Sequence, residues 1–507
     1  MPLPKALYFA PNLLKSNLSI ISEQKGRLPM TQEHELQRIL KLQRDAFISE
    51  GAVSLETRKD RVCRMALAIF ENIDAIADAL SEDYGNRPAG LTKSFEALSW
   101  AEDVLSSLDN LEQWMAPVEM PGGFIQQKPK GVVGIIGSWN FPIILTFEPA
   151  MAALAAGNRV MLNFTEFHRN LGAVLSDILG KVFREDEVAF IQGDVETAQA
   201  FCRLKFDHLF FTGSPKIGSI VSAEAGKNLV PVTMELGGKN PVVVARDADF
   251  EIVPGRLAAT RMLNSGQICL CPDYAFVPKE HFDAFLKDLV ASLENFFPSY
   301  LTNPNVVSIV NDRNYKRITG LIEDAVNKGA RKIEVVPSGE RGKLPDPTSR
   351  RIPPTILIDV PETANIASEE VFGPVLVLHT YEDISEALHY IAEHPTPLAA
   401  YWYGEDSPEF RNFLERTNSG GVTRNDALVH ALMPGAPFGG CGTSGSGAYH
   451  GKAGFDTFTH RRTVANVTQE QGVANALVDG SALTPEAVGG VDAALQQYID
   501  QFKKQMC

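Results

Sequence analysis

Residues 131–142 read GVVGIIGSWNFP, and the reading of this stretch decides the fold. Val132–Ile136 is an apolar run of strand length bounded by Gly131 and Gly137. Such a run predicts a strand buried on both faces. Gly137 to Pro142 then turns the chain, and Ile143–Ala156 stays apolar for the length of a helix. Strand, glycine-marked turn and helix in that order make one half of a βαβ unit. Moving outward, the pattern repeats as strands Val160–Leu162, Val188–Ile191 and His208–Phe211, separated and followed by helices Leu171–Phe183, Ala198–Leu204 and Ile217–Ala225. The alternation predicts an α/β fold with a parallel sheet, whose ligands sit where strand ends lead into helices.

After Pro231 a second alternating region begins. Strands are expected at Pro241–Val244, Tyr274–Val277, Ile333–Val336, Thr355–Ile358 and Val375–His379, and helices at Glu280–Phe297, Tyr315–Lys328 and Ile384–His394. Pro337–Arg351 reads as a surface loop. Upstream, periodic apolar residues predict helices over Thr31–Phe47, Leu55–Asp83 and Thr92–Trp114. Pro117, Pro121, Gly122 and Gly123 mark turns, and Phe124–Pro129 reads as a hairpin strand. From Val464 the chain turns polar, with one short amphipathic run at Val491–Phe502 that is expected to pack on the surface or fray.

The 507 residues are 44% hydrophobic and 21% charged, which excludes disorder as the main state. Net charge is 47 − 62 = −15, a poor match for nucleic acid or an anionic membrane surface. Six cysteines in so long a chain do not make a disulfide scaffold. Met1–Asn17 lacks the apolar core and cleavage site of a signal peptide, and every long apolar run is interrupted. A cytoplasmic protein without a membrane span is the expectation.

Four places carry candidate chemistry. Cys269 follows Asn264-Ser265-Gly266-Gln267-Ile268 in a loop of small and polar residues, which suits an accessible thiol nucleophile. A buried inert thiol is the competing reading. Cys269 and Cys271 lack a second pair of ligands, so no metal is expected. Glu235 precedes Gly237-Gly238, where the backbone can approach another group, and suits a general base; alternatively it simply faces solvent. Asn140 stands at a strand-to-helix turn, fit to donate to an oxyanion or merely to cap the helix. Thr212-Gly213-Ser214 opens a helix whose N-terminus suits phosphate.

In this order, the motifs Ser138-Trp139-Asn140-Phe141-Pro142, Phe211-Thr212-Gly213-Ser214, Glu235-Leu236-Gly237-Gly238-Lys239, Gly266-Gln267-Ile268-Cys269 and Glu369-Glu370-Val371-Phe372-Gly373-Pro374 resemble the aldehyde dehydrogenase superfamily. The match covers roughly residues 30 to 465. The segment from Pro437 to His460 is similar to the class 3 branch, and the whole pattern to bacterial coniferyl aldehyde dehydrogenases.

The resemblance implies two Rossmann-type parallel-sheet domains plus a small oligomerisation hairpin. Its parts are N-terminal helices over 1–116, the hairpin over 117–130, a dinucleotide domain over 131–234, a catalytic domain over 235–435, a returning segment over 436–465 and a tail over 466–507. It implies a homodimer or homotetramer. It also implies oxidation of an aldehyde to the acid through a thiohemiacetal and a thioester on Cys269. Asn140 and the Cys269 N–H hold the oxyanion, and Glu235 activates water. Ser138, Trp139, Asn163, Glu166, Thr212, Gly213, Ser214, Gly218, Glu370 and Phe372 fall at cofactor positions. Asn163-Phe164-Thr165-Glu166 replaces the family's usual Lys-Pro-Ser-Glu. The lost cation and the acidic Glu166 point to NAD over NADP, with weaker binding. Arg424 and Asn425 are placed near the pocket mouth. An aromatic, coniferyl-like aldehyde is the expected substrate. The alternatives are a medium- or long-chain aliphatic aldehyde, acyl transfer to CoA, and a catalytically silent binding protein.

Overall fold

The computed structural model describes residues 32–468, 478 and 480–506. The N-terminal stretch read for a signal peptide, and Thr31, lie outside the described residues. The chain divides into two compact units, one made of the residues up to Trp114 together with Pro129–Thr459, the other of Met115–Lys128 and the chain from His460 onward.

The larger unit holds two sheets. The first has six strands in the order Gly445–Ser446, Val232–Leu236, His208–Gly213, Val132–Ile136, Arg159–Phe164 and Val188–Gln192. All pair in parallel except Gly445–Ser446, which runs antiparallel to Val232–Leu236. From Val132–Ile136 the chain first winds outward one way and then returns on the other side through His208–Gly213. The strand order therefore reverses between these two strands, the place where open α/β sheets bind ligands. Val132–Ile136 and Arg159–Phe164 are buried along their whole length, which explains their unbroken apolar character.

The second sheet has seven strands in the order Arg331–Glu334, Thr355–Ile358, Val375–Tyr381, Pro272–Pro278, Asn240–Val244, Ala399–Tyr403 and Gly421–Arg424. It is parallel except for the antiparallel edge Arg331–Glu334. Ala399–Tyr403 and Gly421–Arg424 extend the sheet beyond the expected strands. Ala399 and Ala400 carry little strand preference, yet all five residues of Ala399–Tyr403 are buried and take their conformation from the neighbouring strands.

Three other expectations are corrected. The expected helix over Leu55–Asp83 is two helices, Leu55–Phe70 and Ile73–Tyr84. Asn72 breaks it by donating its side-chain amide back to the Ala68 carbonyl at 2.9 Å, a local bond that competes with the helix ladder. The expected helix over Thr92–Trp114 starts at Ala89 and passes through one wide turn, Ser94–Leu98, before Ser99–Met115. The boundary expected between 234 and 235 falls inside the strand Val232–Leu236.

The smaller unit contains a three-stranded sheet in the order Val118–Met120, Gly123–Pro129 and Thr459–Ala465. It also contains the helix Pro485–Gln505, capped by Thr484, whose hydroxyl accepts from the Ala487 N–H at 3.2 Å. The expected amphipathic run Val491–Phe502 lies within this helix.

Candidate active site

The parallel register of the first sheet collects the candidate residues at its carboxyl edge. Ile136 stands between Asn163 and Phe211, and Thr212 pairs with Glu235. The turn Gly137–Asn140, Asn163, Thr212–Gly213 and Glu235 therefore line one crevice.

Cys269 reaches the site from the second sheet. It lies just ahead of Pro272–Pro278, at that strand's amino end. The approach is a loop in which Asn264, Ser265 and Gly266 all have positive φ, at 51°, 51° and 73°. Backbone in that region costs of order 1 kcal/mol per non-glycine residue and needs firm support. Gln267, fully buried, provides it: its amide donates to the Asn264 and Ser308 carbonyls at 3.0 and 3.2 Å and accepts from the Val310 N–H at 3.0 Å. A Cβ on Gly266 would stand 2.2 Å from the Gly373 carbonyl oxygen. On the far side of the thiol, Asn240 donates its amide to the Cys269 and Cys271 carbonyls at 2.7 and 3.0 Å.

Asn140 does not cap the helix that follows it. Glu96 does so instead, its carboxylate accepting from the Ile143 and Ile144 N–H groups at 3.0 and 3.1 Å. The Asn140 side chain donates to the Gln267 carbonyl at 3.3 Å, two residues from the thiol. Its own carbonyl accepts from Arg87 at 2.7 Å and from the Tyr84 hydroxyl at 3.3 Å. Arg87 and Glu96 form an ion pair at 3.0 Å with both side chains fully buried. Arg87, Glu96, Gln267 and Asn240 carry no isolated sequence signal, because their roles depend on contacts distant along the chain.

Glu235 is buried, and neither carboxyl oxygen has a hydrogen-bond partner. Burial pushes its pKa well above the ordinary carboxyl value, favouring the neutral acid. Burial also pushes the Cys269 thiol up to about 12, aided by the nearby carboxyls of Glu370 and Glu235. The thiol itself is half-buried. Glu370 is raised to about 8, by burial first and by Asp273 second.

The other expected cofactor residues fall as follows. Trp139 meets Phe372 edge-on at 5.3 Å between ring centroids, and Phe372 has a φ of 49°. Ser138 is half-buried, Asn163 buried and Glu166 half-buried. The Thr212 hydroxyl is buried without a partner. Ser214 caps its own helix, Pro215–Gly226, by accepting from Ile217 N–H at 3.4 Å. A Cβ on Gly218 would come within 2.7 Å of Leu236, so this glycine lets helix and sheet meet closely. An exposed helix N-terminus, a glycine turn and an unpartnered hydroxyl at the switch point fit the pyrophosphate of a dinucleotide. Arg424 is corrected. It ends the strand Gly421–Arg424, which runs parallel to the strand that begins after Cys269. It therefore lies at the opposite end of the sheet from the thiol, where it donates to the Gly404 carbonyl at 3.3 Å and Asn425 accepts from the Gly404 N–H.

Among the described residues, no helix is long and apolar enough to cross a membrane, and no group of three or more His, Cys, Asp or Glu is arranged to hold a metal ion.

A thiol and a buried carboxyl facing the switch point of a doubly wound sheet define an α/β enzyme. The chain belongs to the aldehyde dehydrogenase family, whose model matches residues 20–464, and it is an oxidoreductase acting on aldehydes. It is 40% identical over 437 residues to a protein of Caulobacter vibrioides described as a probable coniferyl aldehyde dehydrogenase, covering 84% of this chain and 90% of that one. It is 40% identical over 425 residues to a coniferyl aldehyde dehydrogenase of Pseudomonas sp., covering 83% and 88%. The solved structure of Staphylococcus aureus AldH in a substrate-bound state superposes with a TM-score of 0.80 at 31% identity, covering 86% of this chain and 95% of that one.

Proposed function

We propose that this enzyme oxidises an aromatic, coniferyl-like aldehyde to the carboxylic acid, with NAD as oxidant and Cys269, Asn140 and Glu235 as catalytic residues. The observation that carries this reading is Glu235: a buried carboxyl with both oxygens unpaired, whose charge helps to raise the pKa of the Cys269 thiol. An unpaired buried carboxyl is costly, and a catalytic task accounts for it.

The Cys269 sulfur, its proton given up to solvent water, adds to the aldehyde carbon. The new oxyanion is held by the Asn140 amide and the Cys269 N–H, each donor worth roughly 3–4 kcal/mol in a transition state. Ser138, Trp139, Asn163, Thr212, Gly213, Ser214, Glu370 and Phe372 would hold a bound NAD, which would supply the acceptor for the hydride leaving that carbon and a positive ring that favours the thiolate. The acyl group is then a thioester on Cys269. Glu235, as carboxylate, takes a proton from water. The water oxygen attacks the thioester carbon, the C–S bond breaks, the acid leaves with the Cys269 thiolate freed, and Glu235 later yields its proton to solvent. Gly218 acts by allowing close packing. Asn163 and Glu166 offer no cation to a 2′-phosphate, which supports NAD over NADP.

In this reading the segment from 131 through the strand Val232–Leu236 is the dinucleotide domain, the segment after it to 435 is the catalytic domain, and the hairpin of 117–130 is the contact of a homodimer. Thr459–Ala465 supports this assembly, since it forms an edge of its sheet and can accept a further strand. The five described cysteines are free, which supports a reducing, cytoplasmic setting.

The test is a panel of aromatic and aliphatic aldehydes with NAD or NADP, with and without CoA, followed by NADH absorbance and product analysis. Coniferyl-type aldehydes with NAD give the highest kcat/KM and the free acid, and Cys269→Ala removes the activity. An aliphatic or NADP preference, or acyl-CoA as product, refutes the corresponding part.

A further inference from the structure

Helix Pro485–Gln505 lies beyond the residues matched by the family model and carries an exposed apolar stripe. Val488, Val491, Leu495, Tyr498, Ile499 and Phe502 are 43–69% exposed. The spacing 488, 491, 495, 498, 502 is the alternating three-and-four step of a helix that packs along another helix. A contiguous apolar face of this kind marks a contact site. The helix also contains Gly489 and Gly490, each costing about 1 kcal/mol of helical stability relative to alanine. At 21 residues it is about 31 Å long and gains little from propensity alone.

The sequence of the stripe identifies what covers it. Set against a second copy of itself, antiparallel and centred on Leu495, the helix pairs Val488 with Phe502, Val491 with Ile499, and Leu495 with Leu495. Small faces large at the ends, and the two-fold axis passes between like residues. The same register sets Glu486 beside Lys504, a carboxylate near the helix start against a cation near the partner's end. A parallel pair would instead align Lys504 with Lys504 and Asp500 with Asp500. A membrane surface fits less well, because the polar face carries Glu486, Asp492 and Asp500 against only two lysines.

We propose that Pro485–Gln505 is a self-association element that pairs antiparallel with the same helix of a second copy of this chain through an isologous, Leu495-centred contact. The proposal stands apart from the catalytic reading.

The test uses the full-length chain with Cys63 and Cys507 replaced by serine. Two differently tagged variants, Val488→Cys and Phe502→Cys, are co-expressed and mildly oxidised. The expected product is a disulfide-linked pair containing one of each, with neither variant linking to itself. Self-linked Val488→Cys means a parallel pair and overturns the proposal, as does the absence of any link. In sedimentation equilibrium, Glu486→Lys and Lys504→Glu each weaken association at least tenfold, and the double variant restores it. Leu495→Glu abolishes this step while aldehyde oxidation persists, which shows that the fold is intact. Association unchanged by Leu495→Glu overturns the proposal. So does co-sedimentation with phosphatidylglycerol vesicles that Leu495→Glu removes in a chain that does not self-associate.

Discussion

Replacing Glu235 by glutamine isolates the second half of the reaction. Glutamine keeps the size and shape of the side chain. Both carboxyl oxygens lack partners in the fold, so the change removes no protein hydrogen bond. The loss is therefore chemical: a general base contributes 10²–10⁴-fold, or about 3 to 5 kcal/mol of barrier. With Cys269 untouched, the first turnover remains. Stopped-flow absorbance then shows a burst of one NADH per active site, followed by a steady rate lowered at least a hundredfold. In the parent enzyme the steady rate climbs with pH through the raised value of Glu235, because only the carboxylate acts as base. The variant loses that climb. Stability follows with a definite sign. The folded value of Glu235 lies above the unfolded one, so its contribution is whole below the unfolded carboxyl value, near 4.3, and is lost as pH rises through the folded value. The variant therefore melts higher than the parent at alkaline pH and alike at acid pH. An unchanged steady rate, or a burst lost in proportion to it, refutes the assignment of Glu235 as the deacylating base.

Asn140→Ala removes one oxyanion donor and lowers kcat by about 10²–10³-fold, while the dissociation constant for NAD stays within twofold by fluorescence titration. Asn163→Lys adds a cation at the end of Arg159–Phe164 and raises the NADP-to-NAD ratio of kcat/KM about tenfold, the scale of one charge-assisted bond of roughly 1.5 kcal/mol. Arg87→Met leaves Glu96 buried without its partner and destabilises the fold by about 3–5 kcal/mol in denaturant unfolding. Gly218→Ala drives a methyl group into Leu236 and costs about 1–3 kcal/mol in the same assay.

The sequence makes the winding of both sheets legible because their buried strands are continuous apolar runs cut off by glycine and proline, as in Val132–Ile136 between Gly131 and Gly137. Cys269 and Asn140 draw notice in the sequence because they stand in turns, and Glu235 because it lies near the end of the strand Val232–Leu236, just ahead of Gly237-Gly238. What the sequence hides is contact at long range. Ala399–Tyr403 is a strand only because its neighbours make it one. Arg424 sits next to Gly420-Gly421 in sequence but at the wrong end of a parallel strand. Arg87 and Glu96, nine positions apart, meet because the wide turn at Ser94–Leu98 rotates Glu96 inward.

The raised pKa values of Glu235 and Glu370 have an outcome for traffic through the crevice. A chain of net charge −15 has to admit an anionic dinucleotide. Burial favours the uncharged form of both acids, which lowers the negative charge this anion meets on the floor of the crevice. Deacylation hands a proton back to Glu235, so the carboxylate product is born beside an acid that is neutral again.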